Sequence, residues 1–113
     1  MTQDPRRYKQ PVSVLVVIFN LAAEVLLLER ADAAGFWQSV TGSRDGEERL
    51  SDTVAREVFE ETGLRVEEHL LRDWGYQNVY EIYPRWRHRY APGIEHNTEH
   101  VFGLCVPGQV AIK

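Results

Sequence analysis

The sequence contains little cysteine and no long hydrophobic run. Its one cysteine, Cys105, has no partner for an internal disulfide, which favours a reducing environment. The longest apolar run, Val14 to Phe19, is far shorter than the roughly 18 apolar residues of a membrane-spanning helix. The first 11 residues lack the apolar core of a secretory signal. We therefore expect a cytoplasmic protein with no membrane partner.

Positive charge is scarce relative to negative charge. The 13 lysines and arginines are outnumbered by 17 aspartates and glutamates, which gives a net charge of −4. This balance argues against nucleic acid as a partner. It does not exclude a phosphate substrate, because divalent cations held by acidic side chains can bridge two anionic groups.

Hydrophobic patterning indicates several strands around one helix, in a single domain spanning residues 1–113. With 43% apolar residues, the chain can bury one core. Strands are predicted at Val12 to Phe19, Val25 to Leu28, Phe36 to Thr41, Trp74 to Tyr83 and Glu99 to Val106. Pro84 to Thr98 is rich in Arg, His, Pro and Asn and is predicted to be a long loop. These elements favour an α/β fold.

The clearest helix is predicted from about Leu50 to Thr62. Ser51 is the expected N-cap, and Gly63 suits the left-handed residue that follows a helix end. At ~100° per residue the side chains separate into two arcs. The apolar arc consists of Val54, Ala55, Val58 and Phe59, and the acidic arc of Glu57, Glu60 and Glu61.

The acidic arc admits two interpretations. Carboxylates three or four residues apart on a helix repel each other by ~0.2–0.5 kcal/mol per pair, so the arrangement has a cost. It is either an ordinary solvated face or a binding site for hard divalent cations, which take carboxylate oxygens as ligands.

The sequence around the helix favours the cation site. From Gly42 to Leu64 the chain reads G-x5-E-x7-R-E-V-x-E-E-x-G-L. This run resembles the signature of the Nudix hydrolases, G-x5-E-x7-R-E-U-x-E-E-x-G-U, in which U is a bulky aliphatic residue. All of the specified positions are filled, by Gly42, Glu48, Arg56, Glu57, Val58, Glu60, Glu61, Gly63 and Leu64. A match of this length is far more specific than a lone glycine-rich pattern.

The resemblance implies a fold and a set of metal ligands. Nudix domains are α/β/α sandwiches with a mixed β-sheet and a characteristic loop-helix. Their final helix, on the other sheet face, is expected to be missing here, so the domain is expected to be incomplete at its C-terminus. Glu57, Glu60 and Glu61 are implied to bind Mg²⁺, or Mn²⁺ in its place, with the backbone carbonyl near Gly42 as a further ligand. Arg56 is implied to orient a glutamate through a charge-assisted hydrogen bond.

The resemblance leaves two catalytic roles open. The residue that activates water is one of these helix glutamates or a carboxylate from a later loop, for which Glu95 and Glu99 are the candidates within this chain. Glu48 either supports the metal site or caps the loop that precedes the helix.

Stretches outside the signature narrow the substrate. The segments YKQPVSVLVVI, GFWQSVTGS, RHRYAPG and NTEH resemble the bacterial dihydroneopterin triphosphate pyrophosphatases, some of which are also described as dATP pyrophosphohydrolases. The resemblance implies a Mg²⁺-dependent enzyme of folate biosynthesis that cleaves dihydroneopterin triphosphate, a small-molecule partner, to the monophosphate and pyrophosphate. Substrate contacts are implied for Lys9, Arg30, Thr41, Arg87 and Arg89, most of them cations suited to phosphate oxygens.

Alternatives stay open at this point. One alternative to the pterin enzyme is a (deoxy)nucleoside triphosphate pyrophosphohydrolase, for example for dATP. The other is a catalytically inactive Nudix module that binds nucleotides. Arg85 to Tyr90 is either a phosphate clamp with a stacking surface for a pterin or purine ring, or a solvated loop with packed aromatics. Trp37 is predicted to lie in the core or in a pocket wall. The sequence does not give the oligomeric state.

Overall fold

The computed structural model describes residues 8–107, which form six β-strands and one α-helix. The strands are β1 (Val12–Phe19), β2 (Leu28–Glu29), β3 (Trp37–Gln38), β4 (Val40–Ser43), β5 (Leu70–Glu81) and β6 (His96–Cys105), and the helix is α1 (Leu50–Thr62). Short 3₁₀ helices span Val66–Glu68 and Pro84–Arg89. No helix within residues 8–107 is both long enough and apolar enough to cross a membrane.

The main sheet is mixed, in agreement with the prediction. Its strand order is β4-β1-β6-β5, with β1 and β6 parallel and the two outer strands antiparallel to their neighbours. Strands β2 and β3 form a separate two-stranded sheet. Side chains alternate along β1, so that Val14, Val16 and Ile18 are buried on one face of the main sheet.

Helix α1 covers this buried face of the sheet. Val54 and Val58 are fully buried and belong to the same core cluster as Val14 and Val16. Burying such a side chain contributes about 1.5–3 kcal/mol, so this contact fixes the rotation of the helix about its axis. The glutamates lie on the adjoining side of the helix, where Glu57 contacts the edge strand β4 at Gly42.

Both bounds of α1 agree with the prediction, but two details of the helix differ. The N-cap is Arg49, whose side chain makes no capping hydrogen bond, and the predicted cap Ser51 lies inside the first turn. Gly63 closes the helix as expected, with φ 80°. Phe59 was predicted to face the core but is 48% exposed. The rotation set by Val54 and Val58 turns its ring to the surface, where the Arg65 guanidinium lies 5.4 Å from the ring centroid.

Several strand bounds also differ from the prediction. The predicted strand Phe36 to Thr41 is divided between β3 and β4, which belong to different sheets. Strands β5 and β6 both begin earlier than predicted, because their backbones form one long antiparallel ladder that continues through polar residues. Trp37, predicted in the core or a pocket wall, is 58% exposed on β3.

Candidate active site

Glu57 lies against the edge strand β4 at the point where that strand carries a glycine. A Cβ atom added to Gly42 would come within 2.1 Å of the Glu57 Cδ atom, far inside any real contact distance. The signature glycine is therefore required by this close approach of a carboxylate to the backbone. It leaves the Glu57 carboxyl group beside the backbone of β4.

Arg56 fixes the position of Glu57. Its Nη1 atom donates to Glu57 Oε1 at 2.5 Å, while Nη2 donates to Glu48 Oε1 at 2.6 Å and to the Ser43 carbonyl oxygen at 3.0 Å. Glu60 is farther away, with its Oε2 atom 3.8 Å from Arg56 Nη1. The planar guanidinium thus joins the helix, the preceding loop and β4, as expected of a residue that orients a glutamate.

Glu48 caps the loop that leads into the helix. Its Oε1 atom accepts hydrogen bonds from the Asp45 backbone N–H at 2.8 Å and from the Thr53 hydroxyl at 2.9 Å. The hydrogen bond from Arg56 is the first cause that lowers the pKa of Glu48 to about 2. Of the two roles left open by the sequence, the contacts support the loop cap.

Glu61 is the other half-buried glutamate of the acidic arc. Its Oε2 atom is buried and has no hydrogen-bond partner in the structure. Burial, followed by the adjacent carboxylates Glu57 and Glu60, raises the pKa of Glu61 to about 7. A buried carboxylate oxygen without a partner is costly, and a bound cation removes that cost.

The acidic arc suits a divalent cation in its chemistry, although its side chains are not closed around a single point. Within residues 8–107, no three His, Cys, Asp or Glu side chains are placed to hold one ion as they stand. Glu60 has a side chain 56% exposed and would have to turn toward the other two carboxylates. The all-oxygen donor set and the unpartnered oxygen of Glu61 fit a hard cation such as Mg²⁺.

A cavity of about 490 Å³ adjoins the acidic arc and contains most of the predicted substrate contacts. Lys9, Arg30, Thr41 and Arg89 all line it, and so does Glu57. The structure therefore brings three cations and a candidate metal ligand to one cavity. Such a combination suits a polyphosphate chain that runs from cationic side chains toward bound metal.

Three arginines, two of which line the cavity, surround the ring of Trp86. The guanidinium carbons of Arg30, Arg85 and Arg89 lie 4.8, 4.5 and 5.9 Å from the ring centroid of Trp86. Arg30 also makes a two-pronged ion pair with Asp32, with both hydrogen bonds at 2.6 Å, and this pair lowers the pKa of Asp32 to about 2. Within the Arg85–Tyr90 segment, Trp86, Arg89 and Tyr90 line the cavity, and Trp86 forms part of its wall.

Two of the predicted substrate contacts have limited or no access to a substrate in the cavity. The Thr41 hydroxyl donates to the Val14 carbonyl oxygen at 2.9 Å, so its side chain is engaged by the sheet. Arg87 instead lines a separate hollow, where it pairs with Glu81 at 2.6 Å and donates to the Ile82 carbonyl oxygen at 3.0 Å. Arg87 therefore holds the end of β5 to the 3₁₀ helix that follows it.

The two candidates for an additional catalytic carboxylate, Glu95 and Glu99, lie in different hollows. Glu99 lies on β6 and lines the main cavity, where Asn78 Nδ2 donates to it at 3.4 Å. Glu95 lines the other hollow and lies 3.8 Å from Arg87. Of this pair, Glu99 is the one that lines the same cavity as Glu57.

The floor of the cavity holds a polar cluster that the sequence did not reveal. Ser13, Tyr80 and Asn97 come from β1, β5 and β6, and all three line the cavity. Asn97 was assigned to the long loop, and the resemblance used it only as part of the NTEH segment, with no role of its own. In the structure it is the second residue of β6, an element in which asparagine is uncommon, and it is 1% exposed.

Comparison with known proteins identifies relatives along nearly the whole chain. A family model described as NUDIX domain matches residues 9–112. Dihydroneopterin triphosphate diphosphatase of Escherichia coli strain K12 is 46% identical over 103 residues, covering 88% of this chain and 69% of that protein. The protein of the same name from Haemophilus influenzae is 43% identical over 102 residues, covering 88% of this chain and 64% of that protein. The solved structure of the E. coli dihydroneopterin triphosphate pyrophosphohydrolase has a TM-score of 0.87 at 44% identity, covering 94% of this chain and 75% of that one.

Proposed function

The chain belongs to the Nudix family, and on that premise we propose that it is a Mg²⁺-dependent diphosphatase acting on dihydroneopterin triphosphate. The anhydride bond between the first and second phosphates is cleaved, and water supplies OH to one fragment and H to the other. The products are dihydroneopterin monophosphate and pyrophosphate. The names of the relatives that are 43–46% identical support this substrate.

The observation that carries the proposal is the single cavity shared by cations and helix carboxylates. Lys9, Arg30 and Arg89 line it on the cationic side, and Glu57 lines it on the acidic side. A triphosphate carries several negative charges, and its hydrolysis requires their neutralisation as well as an activated water. The cavity is also large enough for a two-ring heterocycle, with Tyr83 and Trp86 as aromatic walls.

Each group of side chains has a separate task in the proposed reaction. Divalent metal supplies charge neutralisation and lowers the pKa of a bound water, and Glu57, Glu60 and Glu61 are the residues that would hold it. Arg56 keeps the Glu57 carboxylate beside β4, and Glu48 keeps Arg56 in place. Lys9, Arg30 and Arg89 bind the outer phosphates.

A general base within reach of the cavity is required as well. Glu99 is the carboxylate we assign to this role, because it lines the cavity from β6 while Glu95 lies 3.8 Å from Arg87. We further propose that the enzyme acts on the free small molecule, in the cytoplasm, in keeping with its single cysteine and negative net charge.

Product analysis with purified protein tests the proposal. The protein is incubated with Mg²⁺ and either dihydroneopterin triphosphate or dATP, and released pyrophosphate is measured. We expect much higher kcat/KM for the pterin. Higher kcat/KM for dATP would assign the chain to nucleotide hydrolysis, and binding without turnover of either compound would make it an inactive binding module.

A matched pair of variants ties turnover to the acidic arc. Glu57→Gln removes a candidate metal ligand with almost no change in shape, and we expect turnover to fall by at least about a hundredfold. Glu47→Gln removes the same charge from an exposed position in the preceding loop and should leave turnover unchanged. Equal activity of the two variants would overturn the assignment of the metal site.

A further inference from the structure

Asn97 is a buried amide with one polar atom left unpaired. Its Nδ2 atom donates to Ser13 Oγ at 2.7 Å and to Tyr80 Oη at 3.1 Å. These two bonds use both amide hydrogens. The remaining atom, Oδ1, is buried and has no hydrogen-bond partner in the structure.

Asn97 and both of its hydrogen-bond partners belong to the cavity wall. Asn97, Ser13 and Tyr80 all line the cavity that also holds Glu57 and the three cations. Asn97 is 1% exposed, and it is held from both neighbouring strands. A rigid acceptor that lacks a partner is costly in the empty protein, and a ligand that brings a donor removes that cost.

We propose that Asn97 is a specificity-determining residue whose Oδ1 atom accepts a hydrogen bond from an N–H donor on the edge of the substrate ring. The proposal rests on the proposed function and extends it to the ring end of the same cavity. A pterin carries adjacent donors of this kind, a ring N–H and an exocyclic amino group. With the triphosphate at the cations and the acidic arc, the ring is the part of the substrate left to occupy the polar floor.

Selectivity follows from the cost of an unpaired group. A site that is built to receive a donor rejects a ligand of the same shape that lacks it, because the buried acceptor is then left unsatisfied in the complex. A triphosphate whose ring has no N–H at this edge should bind much more weakly. The aromatic walls supply affinity for any flat ring, whereas Asn97 distinguishes between rings.

The test compares two ligands on the unmodified protein. Dissociation constants are measured by calorimetry without divalent metal, so that no hydrolysis occurs, for dihydroneopterin triphosphate and for an analogue with hydrogen in place of the exocyclic amino group. A second analogue carries a methyl group on the ring N–H. We expect at least one analogue to bind about ten- to a hundredfold more weakly. Equal binding of all three ligands, or no binding of any, would overturn the proposal.

Variants then connect the discrimination to one residue. Asn97→Ala should reduce the ratio between the parent compound and the discriminated analogue to about one. Asn20→Ala is the matched control, because Asn20 is also a buried amide, hydrogen-bonded in a turn outside the cavity. It should lose stability but keep the ratio. If Asn97→Ala keeps the same ratio of dissociation constants, another residue distinguishes between the rings.

The outcomes separate this inference from the proposed function. Absence of pyrophosphate release from dihydroneopterin triphosphate contradicts the function. Normal release with no discrimination between the analogues leaves the function standing and contradicts only the role of Asn97. Should Asn97→Ala fail to fold, the ligand series on the unmodified protein still decides.

Discussion

At the scale of single residues, the missing side chain of Gly42 determines where a carboxylate can lie. The backbone of β4 is extended there, so alanine fits the local conformation, and the nearest atoms that oppose it all belong to Glu57. We expect Gly42→Ala to displace the Glu57 carboxylate, lower kcat by at least about tenfold and lower the free energy of unfolding by about 1–3 kcal/mol.

A second substitution identifies the source of that effect. In Gly42→Ala combined with Glu57→Ala, the added methyl group no longer meets the glutamate. The double variant should therefore recover part of the stability, as measured by urea denaturation, but no activity. Additive losses of stability would show that the contact with Glu57 is not the cause.

The contribution of the Glu48 carboxylate to the stability of the protein should depend on pH. Its pKa in the folded protein is about 2, below the ordinary value of 4.5, so its contribution to stability is present above pH 4.5 and is lost as the pH falls toward 2. We expect Glu48→Gln to be less stable than the parent by about 1–2 kcal/mol at pH 7, with the gap closing across that window.

Urea denaturation at a series of pH values measures this gap. Glu47→Gln is the control, since Glu47 is exposed in the same loop and its variant should match the parent at every pH. A gap that stays constant from pH 7 to pH 2 would contradict the role of ionised Glu48.

At the scale of elements, the rotation of α1 about its axis can be tested with two neighbouring residues. Val58 is fully buried against the sheet, whereas Phe59 is 48% exposed. We expect Val58→Ala to lower the free energy of unfolding by about 2 kcal/mol and Phe59→Ala by less than about 1 kcal/mol, although the second change removes more atoms. The reverse order in denaturation experiments would mean that the helix is rotated.

Arg56 connects the elements of the site, because one guanidinium contacts β4, the preceding loop and α1. Lysine keeps the charge but cannot make these contacts together. We expect Arg56→Lys to reduce kcat by about tenfold or more and stability by about 1–2 kcal/mol. Arg49→Lys, at the exposed start of the same helix, should change neither quantity by a measurable amount. Normal kcat in Arg56→Lys would show that Glu57 needs no such anchor.

At the scale of the whole molecule, metal binding should raise the stability of the folded protein. A cation that binds the folded state alone stabilises it by about 2.7 kcal/mol at a hundred times its Kd. We expect Mg²⁺ to raise Tm in the parent but not in Glu57→Gln combined with Glu61→Gln. The control removes two charges from Glu67 and Glu68, exposed in the 3₁₀ helix after α1, and should keep the effect. Equal shifts in all three proteins would place the metal elsewhere.

The parts of the fold that the sequence predicted are those that local patterns determine. The bounds of β1 and α1 agree because an apolar strand and a helix closed by Gly63 depend on neighbouring residues. The Nudix fold implied by the signature is confirmed by the TM-score of 0.87 at 44% identity. The roles of Glu57, Glu60 and Glu61 as metal ligands stay predictions.

The remaining errors come from contacts between distant parts of the chain. Phe59 is exposed because α1 packs on the sheet through the side that carries Val54 and Val58. The spacing of apolar residues does not show which part of the apolar arc is buried. Arg87 lies outside the cavity because β5 and the following loop bring Glu81 and Glu95 to it. The contacts of Asn97 come from Ser13 and Tyr80 on two other strands, so they could not be predicted from the residues around Asn97.

The ring of arginines around Trp86 gives the protein a natural optical reporter. Indole emission responds to nearby charge, and a polyphosphate that binds Arg30 and Arg89 alters the charge within about 6 Å of this ring. The chain has three tryptophans, of which Trp37 and Trp74 lie outside the cavity. With those two replaced by phenylalanine, fluorescence would follow occupancy of the cavity in real time without a label. Stopped-flow records of that signal would separate the rate of substrate capture from the rate of bond cleavage.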